Sequence, residues 1–171
     1  MRARDLAVDF RTVTPDSSAL EAARLLAEHL LPGLIVVDDK RHPLAVLPGS
    51  QLLRFVIPRY VQDDPNLARV YDEFHADQLC AKLAGKRVAD VLPDDHRPPP
   101  IVDADATAME IATLMANTRS PLVAVADTDH ADAPMIGVIT VPRLLKPLLP
   151  PSAVDAAIEA ENRDAGRDST P

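Results

Sequence analysis

The chain repeats itself. Setting Val13 on Val102, a shift of 89 positions, also sets Ser18, Glu21, Leu25 and Ala27 on Thr107, Glu110, Leu114 and Ala116. The same shift places Pro32, Val36 and Asp38 on Pro121, Val125 and Asp127. A repeat of this length is a supersecondary unit, and 171 residues hold two such units sharing one core. Everything else in the chain leads into, joins or follows the two copies.

Each copy reads as β-α-β-β-α. In the first, an extended piece over Arg11 to Thr14 ends at Pro15, which disfavours helix at the residue before it. Ser18-x-x-Glu21 then predicts a capping box, with Leu20, Ala23, Ala27 and Leu30 as the apolar face of the helix. Leu34 to Val37 reads as a strand buried on both faces, Leu44 to Leu47 as its hairpin partner, and Ser50 to Ile57 as a closing helix. The second copy repeats this with the Thr107-x-x-Glu110 box, a buried face of Met109, Ala112, Met115 and Ala116, strands at Leu122 to Ala126 and Met135 to Ile139, and a helix from Pro142. Val88 to Leu92 echoes a short amphipathic lead-in at Met1 to Leu6. The expected organisation is repeat 1 over 2–57, a helical insert over 58–86, repeat 2 over 87–149 and a mostly disordered tail over 150–171. In the insert, Asp64-Pro65 predicts a helix start, Leu67, Val70, Tyr71 and Phe74 an apolar face, Ala76-Asp77 a break and Gly85 a stop.

Composition narrows the function. A net charge of −8 argues against DNA, RNA or anionic lipid as a non-specific partner, since those surfaces need clustered cations. Aromatic residues are 3% and Trp is absent, so the core is aliphatic. The lone cysteine, Cys80, rules out an internal disulfide and reads as a small buried residue in a reducing compartment. No apolar run is long enough to insert into a membrane and MRARDLAVDF has no secretory leader pattern, which together predict a cytoplasmic protein. The histidines lack zinc-site spacing, and Asp127, Asp129, His130 and Asp132 read as a solvated hairpin turn. Glycine numbers only 5 and no phosphate-binding loop or nucleophile with its base can be assembled, so the chain reads as non-enzymatic.

TVTPDSSALEAARLLAEHLLPGLIVVDD, followed by an apolar strand and a short helix, resembles the CBS domain. With IVDADATAMEIATLMANTRSPLVAVAD and MIGVITVPRLL the chain resembles a tandem CBS pair, or Bateman module. The resemblance implies an α+β fold of two repeats about a pseudo-twofold axis, and a homodimer that regulates an effector protein such as an enzyme or transporter. It also implies two clefts that take AMP, ADP, ATP or S-adenosylmethionine as a regulatory ligand, with no required cofactor. The family's Thr or Ser, and an Asp three residues on, sit where the last strand meets the closing helix. Here that junction carries Pro48 and Gln51 in the first copy, and Thr140 and Arg143 in the second. On that basis the first site is the poorer, and the expected cleft residues are Thr12, Val13, Val36, Val102, Arg119, Val123, Thr140 and Arg143. Arg119 and Arg143 together would favour a polyanion. The alternative is a ligand-free dimerisation or scaffold module in which these substitutions mark decayed nucleotide sites.

Overall fold

The computed structural model describes residues 1–70, 78–93, 98–127 and 133–149, with the side chains of Pro65 and Val70 excepted. The readings for Tyr71, Phe74, the Ala76-Asp77 break, Asp129, His130, Asp132 and the tail from Pro150 lie outside these residues. The first repeat runs α1 (Ala3–Leu6), β1 (Thr12–Val13), α2 (Ala19–Glu28), β2 (Gly33–Val37), β3 (Pro43–Pro48) and α3 (Gly49–Val56). The insert supplies α4 (Arg59–Asp63) and two 3-10 turns, Pro65–Val70 and Leu79–Leu83. The second repeat runs α5 (Val88–Val91), β4 (Ile101–Asp103), α6 (Ala108–Thr118), β5 (Leu122–Ala126), β6 (Met135–Thr140) and α7 (Val141–Leu148).

Each repeat builds one three-stranded sheet, in the order β1-β2-β3 and β4-β5-β6. The first pairing is parallel and the second antiparallel in both, and the irregularity in the hairpin ladder falls at Val36/Val37 and at Val125/Ala126, equivalent positions. Because a strand alternates its faces, β2 sends Leu34 and Val36 into a core with its own helices and Ile35 and Val37 to the other repeat. Likewise β5 sends Val123 and Val125 inward, and Leu122 and Ala124 to the inter-repeat layer.

The lead-ins are exchanged. Ala3 and Leu6 of α1 are buried in the core of the second repeat, whereas Val88 and Val91 of α5 are buried in that of the first. The backbone follows the same rule: Ala3 N–H donates to Ala106 O (2.9 Å) and Arg4 N–H to Ala104 O (2.9 Å), mirrored by Val88 N–H to Ser17 O (2.8 Å) and Ala89 N–H to Pro15 O (2.9 Å). Salt links sit on the same seams, Arg87 with Asp16 and Arg4 with Asp105. These reciprocal contacts relate the repeats by a pseudo-twofold axis.

Four local expectations are corrected. In α2 the buried residues are Ala19, Ala22 and Leu26, while Ala27 is exposed and Leu30 is 90% exposed with φ +50. In α6 they are Ile111 and Met115, and Met109 is 75% exposed. Both helices are rich in Ala and Leu or Met on every side, so apolar spacing alone leaves their rotation undetermined. The Thr107 and Glu110 side chains do form a full reciprocal box, but Ser18 only accepts from the Glu21 N–H, because the Glu21 carboxylate turns to Arg24 at 3.1 Å. Cys80 is exposed, since Leu83 is the insert residue that plugs the first repeat's core.

Candidate ligand cleft

The closing helices show what the family's Asp position does in this chain. Gln51 lies in the first turn of α3 and donates from Nε2 to the carbonyl of Val91 (3.0 Å), the last residue of α5. Arg143 lies in the first turn of α7 and donates from Nε to the carbonyl of Leu6 (3.2 Å), the last residue of α1. The final carbonyls of a helix have no intrahelical partner. Gln51 and Arg143 therefore do the same structural work, each capping the exchanged lead-in from the other copy. An ionised carboxylate at either position has no hydrogen to donate.

A cleft of about 810 Å³ opens between the repeats beside Gln51. One wall is the β3–α3 junction, with Val46, Pro48 and Ser50; the facing wall is the α6–β5 turn, Asn117 to Pro121. Pro93 and the run Pro98 to Pro100 close one side. Seven of the fourteen described residues that line it are proline, so these walls have fixed φ angles and little conformational entropy to lose when a ligand binds. Among the described residues Arg119 is its one charged side chain, and it has no ion-pair partner among them. Arg119 is held in the left-handed region (φ 51, ψ 32) as the C-cap of α6. Leu30, the equivalent residue after α2, turns the chain in the same way with φ 50. Among the described residues the site thus offers an apolar slot, a hydroxyl at Ser50 and one cation, with no carboxylate to accept from a ribose.

Of the eight residues expected to line a cleft, Arg119 alone lines this one. Val13 and Val36 are buried in the first repeat's core, and Val102 and Val123 in the second's, Val102 also touching a separate surface cavity beside Asp103 and Glu110. Thr12 is half-buried in β1, and Thr140 is half-buried at the N-cap of α7, where its side chain makes no capping bond. Arg143 is tied to Leu6, so the structure does not bring it to the cleft with Arg119. The residues that sequence reasoning left out are Pro48, Gln51, Ser50 and the proline run. Pro48 and Gln51 carried a signal, their place at the junction, but it pointed to a lost site rather than to a wall of the cleft. No described helix is long and apolar enough to cross a membrane.

The model of the CBS domain family matches residues 3–57 and 88–149. The crystal structure of a CBS domain-containing protein of unknown function from Kribbella flavida DSM 17836 is 49% identical, with a TM-score of 0.74, covering 86% of this chain and 98% of that one. The chloroplastic CBS domain-containing protein CBSX2 of Arabidopsis thaliana is 30% identical over 141 residues, 77% of this chain and 56% of its own length. This chain therefore spans little more than half of that curated relative. A crystal structure of CBSX2 in complex with AMP shares the fold at a TM-score of 0.58 and 22% identity, covering 94% of this chain and 98% of that one. With both repeats matched and their lead-ins exchanged about one pseudo-twofold axis, the chain belongs to the CBS domain family as a tandem pair.

Proposed function

We propose that this CBS pair is a non-catalytic regulatory module that binds an adenosine nucleotide or a related anionic metabolite between its repeats and signals to a partner protein. The observation that carries the reading is the proline-walled cleft of about 810 Å³, with Arg119 on one repeat across from the Pro48–Gln51 junction of the other. Because both repeats contribute walls, a ligand there contacts both and favours one relative placement of them over others, which is the physical requirement for a signal. The AMP held by the structurally similar CBSX2 supports adenosine-containing ligands as the class to test. S-adenosylmethionine belongs in the same panel. The working unit is a homodimer joined through the apolar groove between α6 and α7, where Leu145 is about half exposed. A cytoplasmic setting suits the single free thiol.

Isothermal titration with AMP, ADP, ATP and S-adenosylmethionine, alongside the Arg119→Ala variant, tests this. Binding that weakens about tenfold in the variant is expected, the ordinary worth of one charge-assisted hydrogen bond. No heat and no thermal shift with any of the four at millimolar concentration would count decisively against ligand sensing. A second reading, a ligand-free scaffold, is favoured by one observation: Gln51 and Arg143 are both committed to lead-in carbonyls. It expects a stable dimer, a partner recovered by pull-down, and no ligand response.

A further inference from the structure

The insert builds a second concavity on the far side of Gln51. It measures about 670 Å³ and lies between α3, α4 and the Leu79–Leu83 turn. In a chain of net charge −8 its described lining gathers three cations, Arg54, Arg59 and Lys82, against one carboxylate, Asp63. Its frame is fixed by hydrogen bonds at the end of α3. Gln62 Nε2 donates to the carbonyls of Arg54 and Ile57 (2.8 Å each), and Lys82 Nζ donates to that of Val56 (2.6 Å). Arg54 and Arg59 have no ion-pair partner among the described residues. Gln51 lines both this cavity and the inter-repeat cleft, and Arg54 follows it three residues on, about 4.5 Å along the helix axis.

We propose that this cavity is a phosphate site, taking the terminal phosphates of a nucleoside di- or triphosphate whose nucleoside lies in the cleft. The inference rests on the nucleotide reading above and specifies which nucleotides the module distinguishes. Guanidinium forks match phosphate oxygens in pairs, and cations focused in a concave wall attract polyanions against the mean charge of the surface. Of the described residues the cleft supplies Arg119 for a first phosphate; further phosphates gain Arg54 and Arg59. The insert, which stands outside the repeat pattern, then has the role of a phosphate counter.

Titration calorimetry on the full chain at low salt, with adenosine, AMP, ATP and inorganic tripolyphosphate, tests this. The proteins are the wild type, the Arg54→Gln/Arg59→Gln double variant and Arg54→Lys, with circular dichroism to check folding. ATP is expected to bind at least tenfold more tightly than AMP, with a steeper loss on adding salt. The double variant should erase that ratio while leaving AMP within about twofold, and Arg54→Lys should recover part of it. If adenosine and AMP bind but ATP gains nothing, or the double variant keeps the ratio, the phosphate site is overturned and the nucleotide reading stands. If tripolyphosphate binds through Arg54 and Arg59 while no nucleoside adds affinity, the phosphate site is supported and the nucleotide reading fails. If no probe binds at millimolar concentration, both are overturned.

Discussion

Gln51 and Arg143 show how one position can change its chemistry and keep its place. In the family pattern that position offers an acceptor to a ligand; here both copies offer a donor to a helix end of the same molecule. Putting the acid back therefore sets acceptor against acceptor. Gln51→Asp is expected to lower stability by about 1–2 kcal/mol, because the carbonyl of buried Val91 loses its donor and gains a negative neighbour. Gln51→Glu, longer by one methylene but equally unable to donate, should cost a similar amount. Urea unfolding midpoints measure both; unchanged midpoints would mean the hydrogen bond to Val91 is dispensable and the cleft wall is set by packing alone. Two carboxyls elsewhere in the fold follow the same logic of local donors. Glu110 is held below its usual range chiefly by the Thr107 N–H and then by its hydroxyl. Asp38 is held down first by the His42 N–H, against partial burial, with the His42 ring and the Lys40 N–H adding to it.

At the scale of elements, what the sequence displays depends on whether a signal is local. The order of strands and helices, the Thr107 box and the stop at Gly85, which adopts φ +71, all depend on residues within a few positions of one another, and all are legible in the sequence. Which way a strand faces is a different matter. Residues 33–37 and 122–126 are buried at every position, so no alternation tells Val36 from Ile35 or Val123 from Leu122, and nothing in the sequence keeps Val36 and Val123 out of the expected cleft. Nor can spacing reveal the clasp on the outer edge of β6. There Val8 and Val138 exchange N–H to O bonds at 3.1 and 3.0 Å, a pairing across 130 residues. Gly137 makes room for it, since a Cβ at that position would stand 2.8 Å from the Val8 carbonyl oxygen. Gly137→Ala is expected to push the Val8 segment off the edge at a cost of about 1–3 kcal/mol. Hydrogen exchange should then show the Val8 and Val138 amides losing protection before those of β5. Equal protection in the variant would show that the backbone there yields without breaking the clasp.

At the scale of the molecule, the exchanged lead-ins make the two repeats mutually dependent. Neither core is complete within its own stretch of chain: the second needs Ala3 and Leu6, and the first needs Val88 and Val91, with Leu83 of the insert. A ligand that shifts one repeat against the other must therefore act through the lead-ins as well as through the Ile35, Val37, Leu122 and Ala124 layer. Leu6→Ala separates this arrangement from one of two self-contained units. Leu6 is 7% exposed and packs among second-repeat residues, so its truncation is expected to cost about 2–3 kcal/mol through lost burial and a cavity left behind. The damage should appear some hundred residues away from the mutation. The amides of β4, β5 and α6 should exchange faster, with those of β1 and β2 less affected, because partial openings follow the spatial unit and not the chain order. Leu52→Ala serves as the control, since Leu52 sits wholly in the first core and should give the opposite pattern. If Leu6→Ala instead loosens β1 and β2 first, the lead-in belongs energetically to its own repeat, and the exchanged contacts are a surface attachment that transmits nothing.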